Sequence, residues 1–431
     1  MKKIQLNKTG RRILRVLGVL ILMLIVFNVY YVFTFSPFPD AQPPFVEGVS
    51  SATYDNQIEK ARMRLKNVTS RLGVPSFSIA IGHNNQLIWT AVEGYQDIET
   101  NTTATPKTAY RIGSTSKTLT ATAIAKEIQN KRLFLDHPIK DTIVNWEKKR
   151  WDFSLRQLLS HTAGFFHYQH LKLSSLKYTL CNCYEFKSAT HALKVFNNND
   201  LLYEPGTRFS YSSFDINLAS AILEQKVEMP FPEYMKTEIF MPLEMHNTYA
   251  DHSKPKTPNL ATFYEMEKGY YREFQSMGLF SDVNLSYKWA GGGFISTPSD
   301  LVKLGNAWIN DTLFIQRETK KTFWTPVKLK NGEINPQEYA LGWRSYLDFK
   351  NDYLEGGEKS YWIVHHGGVS KGSQNFLVLF PNYNLVVDAS INANITPFSK
   401  FFAEVMQIIA PFVEQLPRQE SGLYADIKEA L

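Results

Sequence analysis

A serine and a lysine stand three residues apart where an apolar segment begins, as Ser114-Thr115-Ser116-Lys117. From Leu119 onward, apolar residues recur at spacings of three and four, which predicts a helix buried along one side. Residues i and i+3 are neighbours on a helix, so the Lys117 amine can reach the Ser114 oxygen. A buried lysine tends to lose its charge, and its neutral amine can then take the serine proton. The spacing therefore indicates acyl-transfer chemistry.

The same spacing occurs twice more in the chain, from Ser174 to Lys177 and from Ser253 to Lys256. The first copy lies in a mixed polar stretch, and the second contains Pro255, which disfavours a helix there. Only the copy at Ser114 precedes an apolar helix. On spacing alone, an ordinary N-cap serine followed by a solvated lysine remains an open alternative.

The N-terminus carries six basic residues, no acidic residue before residue 36, and an apolar run long enough to cross a bilayer. No Lys or Arg stands between Thr34 and Glu59, so the basic side is expected to stay in the cytoplasm. No small-x-small cleavage site follows the run, which favours an uncleaved anchor over a removed signal peptide. We therefore predict a cytoplasmic tail over 1–12 and a single transmembrane anchor over 13–35. The rest of the protein would face the periplasm or the exterior.

The remainder of the chain is formally neutral. The full sequence has 431 residues with 47 Lys and Arg against 41 Asp and Glu, and six of those basic residues precede the apolar run. The basic excess is therefore confined to the anchor flank. This distribution does not favour a nucleic-acid-binding surface.

The two cysteines of the chain, Cys181 and Cys183, are separated by one residue and lie near His167 and His170. A metal site is conceivable with these residue types. A loop with free or locally bridged thiols is the interpretation we favour, so we expect no metal.

The remaining sequence predicts one α+β domain with a sheet and a helical lobe. Short apolar runs that predict strands cluster near both ends, and the middle, from about 135 to 295, is rich in helix and loop signals. The predicted segments are a linker over 36–55, a helix over 57–72, strands over 76–82 and 87–94, a closing amphipathic helix over 397–416 and a tail over 416–431.

Several separated motifs together resemble the serine β-lactamase and penicillin-binding-protein superfamily, particularly its class C β-lactamase and esterase-like branch. The resemblance covers residues 56–415 and implies an antiparallel sheet flanked by helices, with the active site between the sheet and a helical lobe. The motifs are Ser114-Thr115-Ser116-Lys117, LRQLLSHTAGF at 155–165, EPGTRFSYSSF at 204–214, AGGGFISTPSDL at 290–301 and HHGGVSKG at 365–372.

The resemblance implies a role for three of these side chains. Ser114 would be the acylated nucleophile, Lys117 its proton partner, and Tyr211 a shared general acid or base, useful if neighbouring cations lower its pKa. The backbone N–H groups of Ser114 and Val369 would hold the oxyanion. Neither a metal nor an organic cofactor is implied.

Two positions depart from the class C pattern. Ser213 stands where those enzymes have asparagine, and this is similar to the mitochondrial β-lactamase-like branch, which is associated with peptide or amide hydrolysis. His366-Gly367-Gly368 stands where many relatives have Lys-Thr-Gly. A partly charged His366 would bind a substrate carboxylate or orient Tyr211, and Gly368 would let the substrate backbone approach closely.

These observations predict a membrane-anchored serine hydrolase that forms an acyl-enzyme at Ser114, with peptide or amide substrates ranked before esters. One alternative is a D-alanyl-D-alanine carboxypeptidase or a β-lactamase, which Ser213 and Gly367 disfavour. Another is an idle membrane-anchored sensor or scaffold. The oligomeric state stays open.

Overall fold

A computed structural model describes residues 8–39, 42–139, 143, 146–168, 178, 184–252, 259–274, 283–310, 314–419 and 421–431. The fold is α+β, as expected: a large antiparallel sheet with helices on both faces, and a helical lobe beside it. The predicted strand pair near residue 80 and the strands after residue 360 are confirmed as neighbours in this one sheet.

The large sheet runs in the order β11-β12-β13-β14-β3-β4-β2, with β5 paired to β4. Apolar and β-branched residues on both sides of its central strands suit burial between two helical layers. Its strands are β2 (Phe45–Ser50), β3 (Ser76–His83), β4 (Gln86–Asp97), β5 (Thr102–Thr103), β11 (Arg344–Phe349), β12 (Tyr361–Ser370), β13 (Ser373–Phe380) and β14 (Leu385–Ile391).

Two small sheets accompany the large one. One has the order β1-β9-β8, formed by Ser36–Pro37, Tyr270–Glu273 and Tyr264–Glu267. The other has the order β6-β10-β7, formed by Tyr110–Arg111, Phe294–Ser296 and Tyr249–Ala250. The second small sheet ends where the Ser114 turn begins. Strand pairing in this sheet therefore fixes the position at which the chain enters that turn.

Helices cover both faces of the large sheet. On one face α2 (Asp55–Leu65) and α12 (Ser399–Gln415) pack against alternate strand residues such as Val387. On the other face α4 (Ser116–Gln129), α10 (Pro298–Asn310) and the helical lobe pack against the intervening residues, such as Val386. This alternation follows from the two-residue period of a strand. Because of this alternation, residues 366 and 368 of β12 lie on the face of the sheet that packs against the helical lobe.

The remaining helices are short or lie at the chain ends. The helix predicted over 57–72 is broken, because Asn67 adopts a left-handed conformation between α2 and the next helix. These elements are α1 (Lys8–Phe33), α3 (Val68–Leu72), α5 (Leu155–Leu159), α6 (Ala189–Ala192), α7 (Ser213–Val227), α8 (Phe231–Tyr234), a π-helix over Met235–Phe240, α9 (Trp289–Gly292), α11 (Arg317–Trp324) and α13 (Gly422–Ala430).

Both terminal segments are more structured than the sequence predicts. Helix α1 is long and apolar enough to cross a membrane by length and composition. The expected linker over 36–55 contains β1, which pairs with β9, and β2, which pairs with β4. Proline and small polar residues suggested an open chain, but main-chain hydrogen bonds pair Ser36–Pro37 and Phe45–Ser50 with neighbouring strands. Helix α13 occupies the expected tail, and its Ile427 is fully buried in the core.

Exchange of Ile427 for alanine is expected to lower the free energy of unfolding by about 2–5 kcal/mol, because a buried side chain leaves a cavity. The neighbouring Glu429 is exposed, so Glu429→Ala should change the free energy of unfolding by less than about 0.5 kcal/mol. Denaturant unfolding of the full chain in detergent measures both. Equal midpoints for the two variants would mean that α13 does not belong to the cooperative unit.

Candidate active site

The nucleophile candidate Ser114 lies on a 3-10 turn, Gly113–Thr115, directly before α4. This turn is pressed against strand β12. Gly113 has φ +52°, and a Cβ built there would lie 2.6 Å from the backbone nitrogen of Val369. A Cβ at Gly368 would lie 1.9 Å from the carbonyl oxygen of Ile112. Two glycines thus allow the turn and the strand edge to approach more closely than side chains permit.

The Lys117 side chain is completely buried on the first turn of α4. Its Nζ lies within hydrogen-bonding distance of three oxygens: Ser114 Oγ at 3.2 Å, Ser213 Oγ at 3.2 Å and the Gly291 carbonyl at 2.5 Å. The amine is therefore held beside the nucleophile. The predicted proximity of Ser114 and Lys117 is present in the structure.

Burial, together with the positive charges of Lys288 and Arg344, lowers the pKa of Lys117 well below its ordinary value of 10.5. Asp215 opposes this shift but is the smaller influence. A neutral amine has a lone pair and accepts a proton, which an ammonium group does not. The site therefore favours the form of Lys117 that acts as a base.

Tyr211 lies beside the same amine, with Lys117 Nζ 4.7 Å from the centre of its ring. Burial raises the pKa of Tyr211 to about 12, although a hydrogen bond with Ser114 and the charge of Arg344 oppose the rise. This differs from the expectation that cations lower the pKa of this phenol. Because the phenol keeps its proton at neutral pH, Tyr211 suits proton donation or relay.

Ser213 stands at the first residue of α7 and is buried. Its Oγ accepts from Lys117 at 3.2 Å, and its backbone N–H donates to His167 Nδ1 at 3.4 Å. The hydroxyl predicted to contact substrate is thus also part of the hydrogen bonding of the amine. His167 joins the site from the loop after α5, where the sequence offered it only as a possible metal ligand.

Val369 is 52% exposed on the edge of β12, beyond the part of this strand that β11 pairs. Ser370 and Ser373 form the last pair of the β12–β13 hairpin. Because hydrogen-bonding direction alternates along an antiparallel strand, the N–H of Val369 points away from β13 and toward the Ser114 turn. The two backbone donors expected to hold an oxyanion therefore lie on adjoining pieces of chain.

His366 is fully buried and does not offer the partial charge expected of it. Its Nε2 lies 2.9 Å from the Tyr339 hydroxyl and its Nδ1 2.7 Å from the Gly367 carbonyl. Burial, together with the charge of Arg344, lowers the pKa of His366 well below 6.5. The neutral ring therefore holds Tyr339 and does not present a cation to a carboxylate.

Arg344 supplies the positive charge that His366 lacks. It is the first residue of β11, half-buried, with its Cζ 5.7 Å from the centre of the Tyr211 ring. Its Nη2 donates to Gln337 Oε1 at 2.6 Å. No motif marked Arg344 in the sequence, because its proximity to Tyr211 depends on how β11 pairs with β12.

A buried pair lies behind Tyr211. His161 Nδ1 is 2.9 Å from Asp215 Oδ2, and neither residue is exposed to solvent. Burial raises the pKa of Asp215 and lowers that of His161, so the interior disfavours the charged form of each. The His161 ring lies 4.4 Å from the Tyr211 ring. His161 therefore supports the site by packing, and no sequence motif pointed to Asp215.

Cys181, Cys183 and His170 lie outside the described residues. Among the residues that the structure describes, no group of three or more His, Cys, Asp and Glu side chains is arranged to hold a metal ion. The oxygen and nitrogen atoms around Ser114 form a hydrogen-bonded group suited to proton transfer.

A Ser–Lys–Tyr group between an antiparallel sheet and a helical lobe defines a protein of the β-lactamase and transpeptidase type. Residues 56–403 match the model of the Beta-lactamase family, and the chain belongs to this family of serine hydrolases. The human "Serine beta-lactamase-like protein LACTB, mitochondrial" is 26% identical over 408 residues, covering 76% of this chain and 73% of LACTB.

Solved structures share the fold at lower identity. EstCE1, a hydrolase with promiscuous acyltransferase activity, superimposes with a TM-score of 0.67 at 19% identity, covering 84% of this chain and 100% of its own. The Beta-lactamase/D-alanine Carboxypeptidase of Yersinia pestis gives a TM-score of 0.65 at 17% identity, with coverage of 84% and 100%. The resemblance inferred from the motifs is thereby confirmed, as is the fold class.

The buried amine predicts a pH dependence of stability. Between the lowered pKa of folded Lys117 and 10.5, the unfolded chain binds one proton more than the folded chain. Stability contributed by this group therefore rises with pH in that window, by about 1.4 kcal/mol per pH unit. The difference in unfolding free energy between wild type and Lys117→Met should show this slope in a pH series of denaturant titrations. A difference that does not change with pH would contradict the burial of an uncharged amine.

The close approach of Gly368 predicts a second effect. Gly368→Ala should push β12 away from the Ser114 turn and slow acylation by a fluorophosphonate roughly 100-fold, the effect of about 1 Å of misplacement. Gly422→Ala is a matched control, because a Cβ there meets only the flexible guanidinium of Arg317 at 3.1 Å. Equal acylation rates for the two variants would exclude a role for this contact.

Proposed function

We propose that the protein is a serine hydrolase that forms an acyl-enzyme at Ser114 and then releases the acyl group to water. This proposal rests on the position of the Lys117 amine, which is buried and lies 3.2 Å from Ser114 Oγ. The amine takes the serine proton as the oxygen attacks a carbonyl carbon. The N–H groups of Ser114 and Val369 stabilise the resulting oxyanion.

Lys117 and Tyr211 each carry out one of the two proton transfers in acylation. Lys117 is the base in acylation, because its pKa is lowered and its amine touches the nucleophile. Tyr211 keeps its proton and delivers it to the leaving group, since its pKa is raised to about 12. Charge from Arg344 stabilises the phenolate that forms when this proton leaves.

The surroundings of the cleft favour a peptide or amide substrate. Residues 366–370 form a strand edge beyond the reach of β11, and an extended peptide can add to such an edge by main-chain hydrogen bonds. A cavity of about 420 Å³ opens along it between Arg344 and the aromatic rings Phe376, Phe398 and Phe402. Gly367 lines this cavity, and a Cβ there would lie 2.9 Å from the Phe398 ring, so the aromatic rings pack directly against the strand edge.

Helix α1 is proposed to anchor the protein as a single membrane span. Its composition and length fit a bilayer, and basic residues cluster before it. The N-terminus would be cytoplasmic and the hydrolase domain periplasmic or extracellular. The neutral charge of the remainder is consistent with a substrate other than nucleic acid.

Labelling with a fluorophosphonate tests the nucleophile. Wild type should be labelled, and Ser114→Ala should lose the label because, among the described residues, the other hydroxyl on the Lys117 amine is that of Ser213, which is buried. Ser399→Ala is the matched control, since Ser399 is an exposed serine on the cavity at the same strand edge. Full labelling of Ser114→Ala would exclude the proposal.

A fluorescent penicillin separates the remaining alternatives. A peptide or amide hydrolase with Ser213 in place of asparagine should react with it slowly or not at all while still accepting the fluorophosphonate. Stable penicillin labelling would favour a D-alanyl-D-alanine carboxypeptidase, and rapid turnover a β-lactamase. Absence of both labels in the folded protein would favour a scaffold.

A further inference from the structure

The segment that leaves helix α1 is bound to the hydrolase domain. The N–H of Thr34 still donates to the Tyr30 carbonyl at 3.1 Å, so the helix continues to that point. Two residues later, Ser36 and Pro37 pair with Tyr271 and Tyr270 of β9. Few residues therefore separate the end of the apolar helix from the domain.

Side chains reinforce this junction. Arg272 is 6% exposed, its Nη1 donates to Thr34 Oγ1 at 3.2 Å, and its Cζ lies 4.8 Å from the centre of the Phe35 ring. The N–H of Phe38 donates to the Gly269 carbonyl at 2.8 Å. The hairpin of β8 and β9 is thus fixed to the chain at the place where α1 ends.

The tip of this hairpin carries residues typical of a membrane interface. The side chain of Lys268 is 89% exposed and Tyr270 is 49% exposed. Tyrosine and lysine are enriched at the headgroup level of bilayers. Beside the tip lies a groove of about 890 Å³ whose lining includes Arg71, Lys268 and Lys400 with one acidic residue, Glu267.

We propose that the hairpin tip and this groove, together the juxtamembrane face, rest on the headgroup layer of the bilayer that α1 crosses, with anionic phospholipids as the partner. The inference rests on the proposed anchoring by α1. An extended chain covers about 3.3 Å per residue, so the pairing of residues 36 and 37 places β9 within roughly 10 Å of the helix end. Arg71 is bound to Glu404, so Lys268 and Lys400 are the basic side chains of the groove that match phosphate headgroups.

The juxtamembrane face also fixes the distance between the bilayer surface and the catalytic cleft. Strand β9 leads into Phe274, whose Cβ is 3.1 Å from the Cβ position of Gly372. Gly372 lies in the β12–β13 hairpin, three residues after Val369. The path from the bilayer to the oxyanion donor therefore runs through paired strands and direct contacts, over roughly 30 Å at 3.3 Å per residue.

The test uses the full chain with both cysteines exchanged for serine, reconstituted into vesicles of phosphatidylcholine and phosphatidylglycerol. A polarity-sensitive fluorophore is attached to Lys268→Cys or to Asn85→Cys. Asn85 is the matched control, because it is exposed on the β3–β4 turn, at the opposite end of β3 from Ser76. Ser76 is bound through Asn392 to the start of β8, so the two labelled tips lie on opposite ends of the sheet.

The fluorescence emission of the label at residue 268 should shift to shorter wavelength and be quenched by a lipid that carries a nitroxide on its headgroup. The emission of the label at residue 85 should show neither effect. Lys268→Gln and Lys400→Gln, labelled at Tyr270→Cys, should each lower the docked population roughly fivefold, the contribution of one lysine near an anionic surface. Near-ultraviolet circular dichroism checks the fold of every variant.

The outcomes separate docking from anchoring. If the chain washes off the vesicles at alkaline pH, anchoring by α1 fails and the docking proposal falls with it. If the chain stays bound but residue 268 reports the same aqueous environment as residue 85, anchoring holds and docking is wrong. Equal quenching in vesicles of phosphatidylcholine alone would exclude anionic headgroups as the partner.

Discussion

The buried amine of Lys117 needs hydrogen-bond partners, because an unpaired polar group inside a protein costs about 1–3 kcal/mol. Three different segments provide them: the Ser114 turn, the start of α7 at Ser213, and the Gly291 carbonyl. Each segment is fixed in position by this shared donor. The nucleophile, the lobe that carries Tyr211 and the glycine-rich segment are therefore brought together by one side chain. Substitution of Ser213 by a larger residue would alter this set as well as any substrate contact.

The edge of β12 supplies the other half of the site through its backbone. Gly113 and Gly368 let the Ser114 turn approach the strand until their main chains touch. Only backbone groups are then available at this contact, which suits an oxyanion site that needs N–H donors of fixed direction. On the same face of the strand, two residues before Gly368, the His366 ring is bound to the Tyr339 hydroxyl through Nε2 and to the Gly367 carbonyl through Nδ1. The charge near the cleft consequently comes from Arg344, on the neighbouring strand.

The sequence predicts the parts of this site that are local and leaves out those that depend on tertiary pairing. Ser114 and Lys117 are linked by helical spacing, and the motifs around Tyr211 and Gly368 identify the superfamily. Arg344 and Asp215 carry no local signal, because one is placed by strand pairing and the other by burial against His161. Burial also decides the protonation of Tyr211 and His366, and depth below the surface is not encoded in residue spacing. The same applies to Ser36–Pro37 and Phe45–Ser50, whose composition resembles a linker although partner strands pair with them.

The centre of the large sheet joins the two ends of the chain, since residues 385–391 of β14 pair with residues 77–83 of β3. These partners are about 300 residues apart, so their loop-closure entropy is high and their pairing is slow compared with local contacts. During synthesis, β3 and β4 leave the ribosome long before β14 exists. In the hairpin of β3 and β4, the edge of β3 that later pairs with β14 therefore stays unpaired until translation is nearly complete. Chaperones or rapid elongation would limit aggregation of such a chain at that stage.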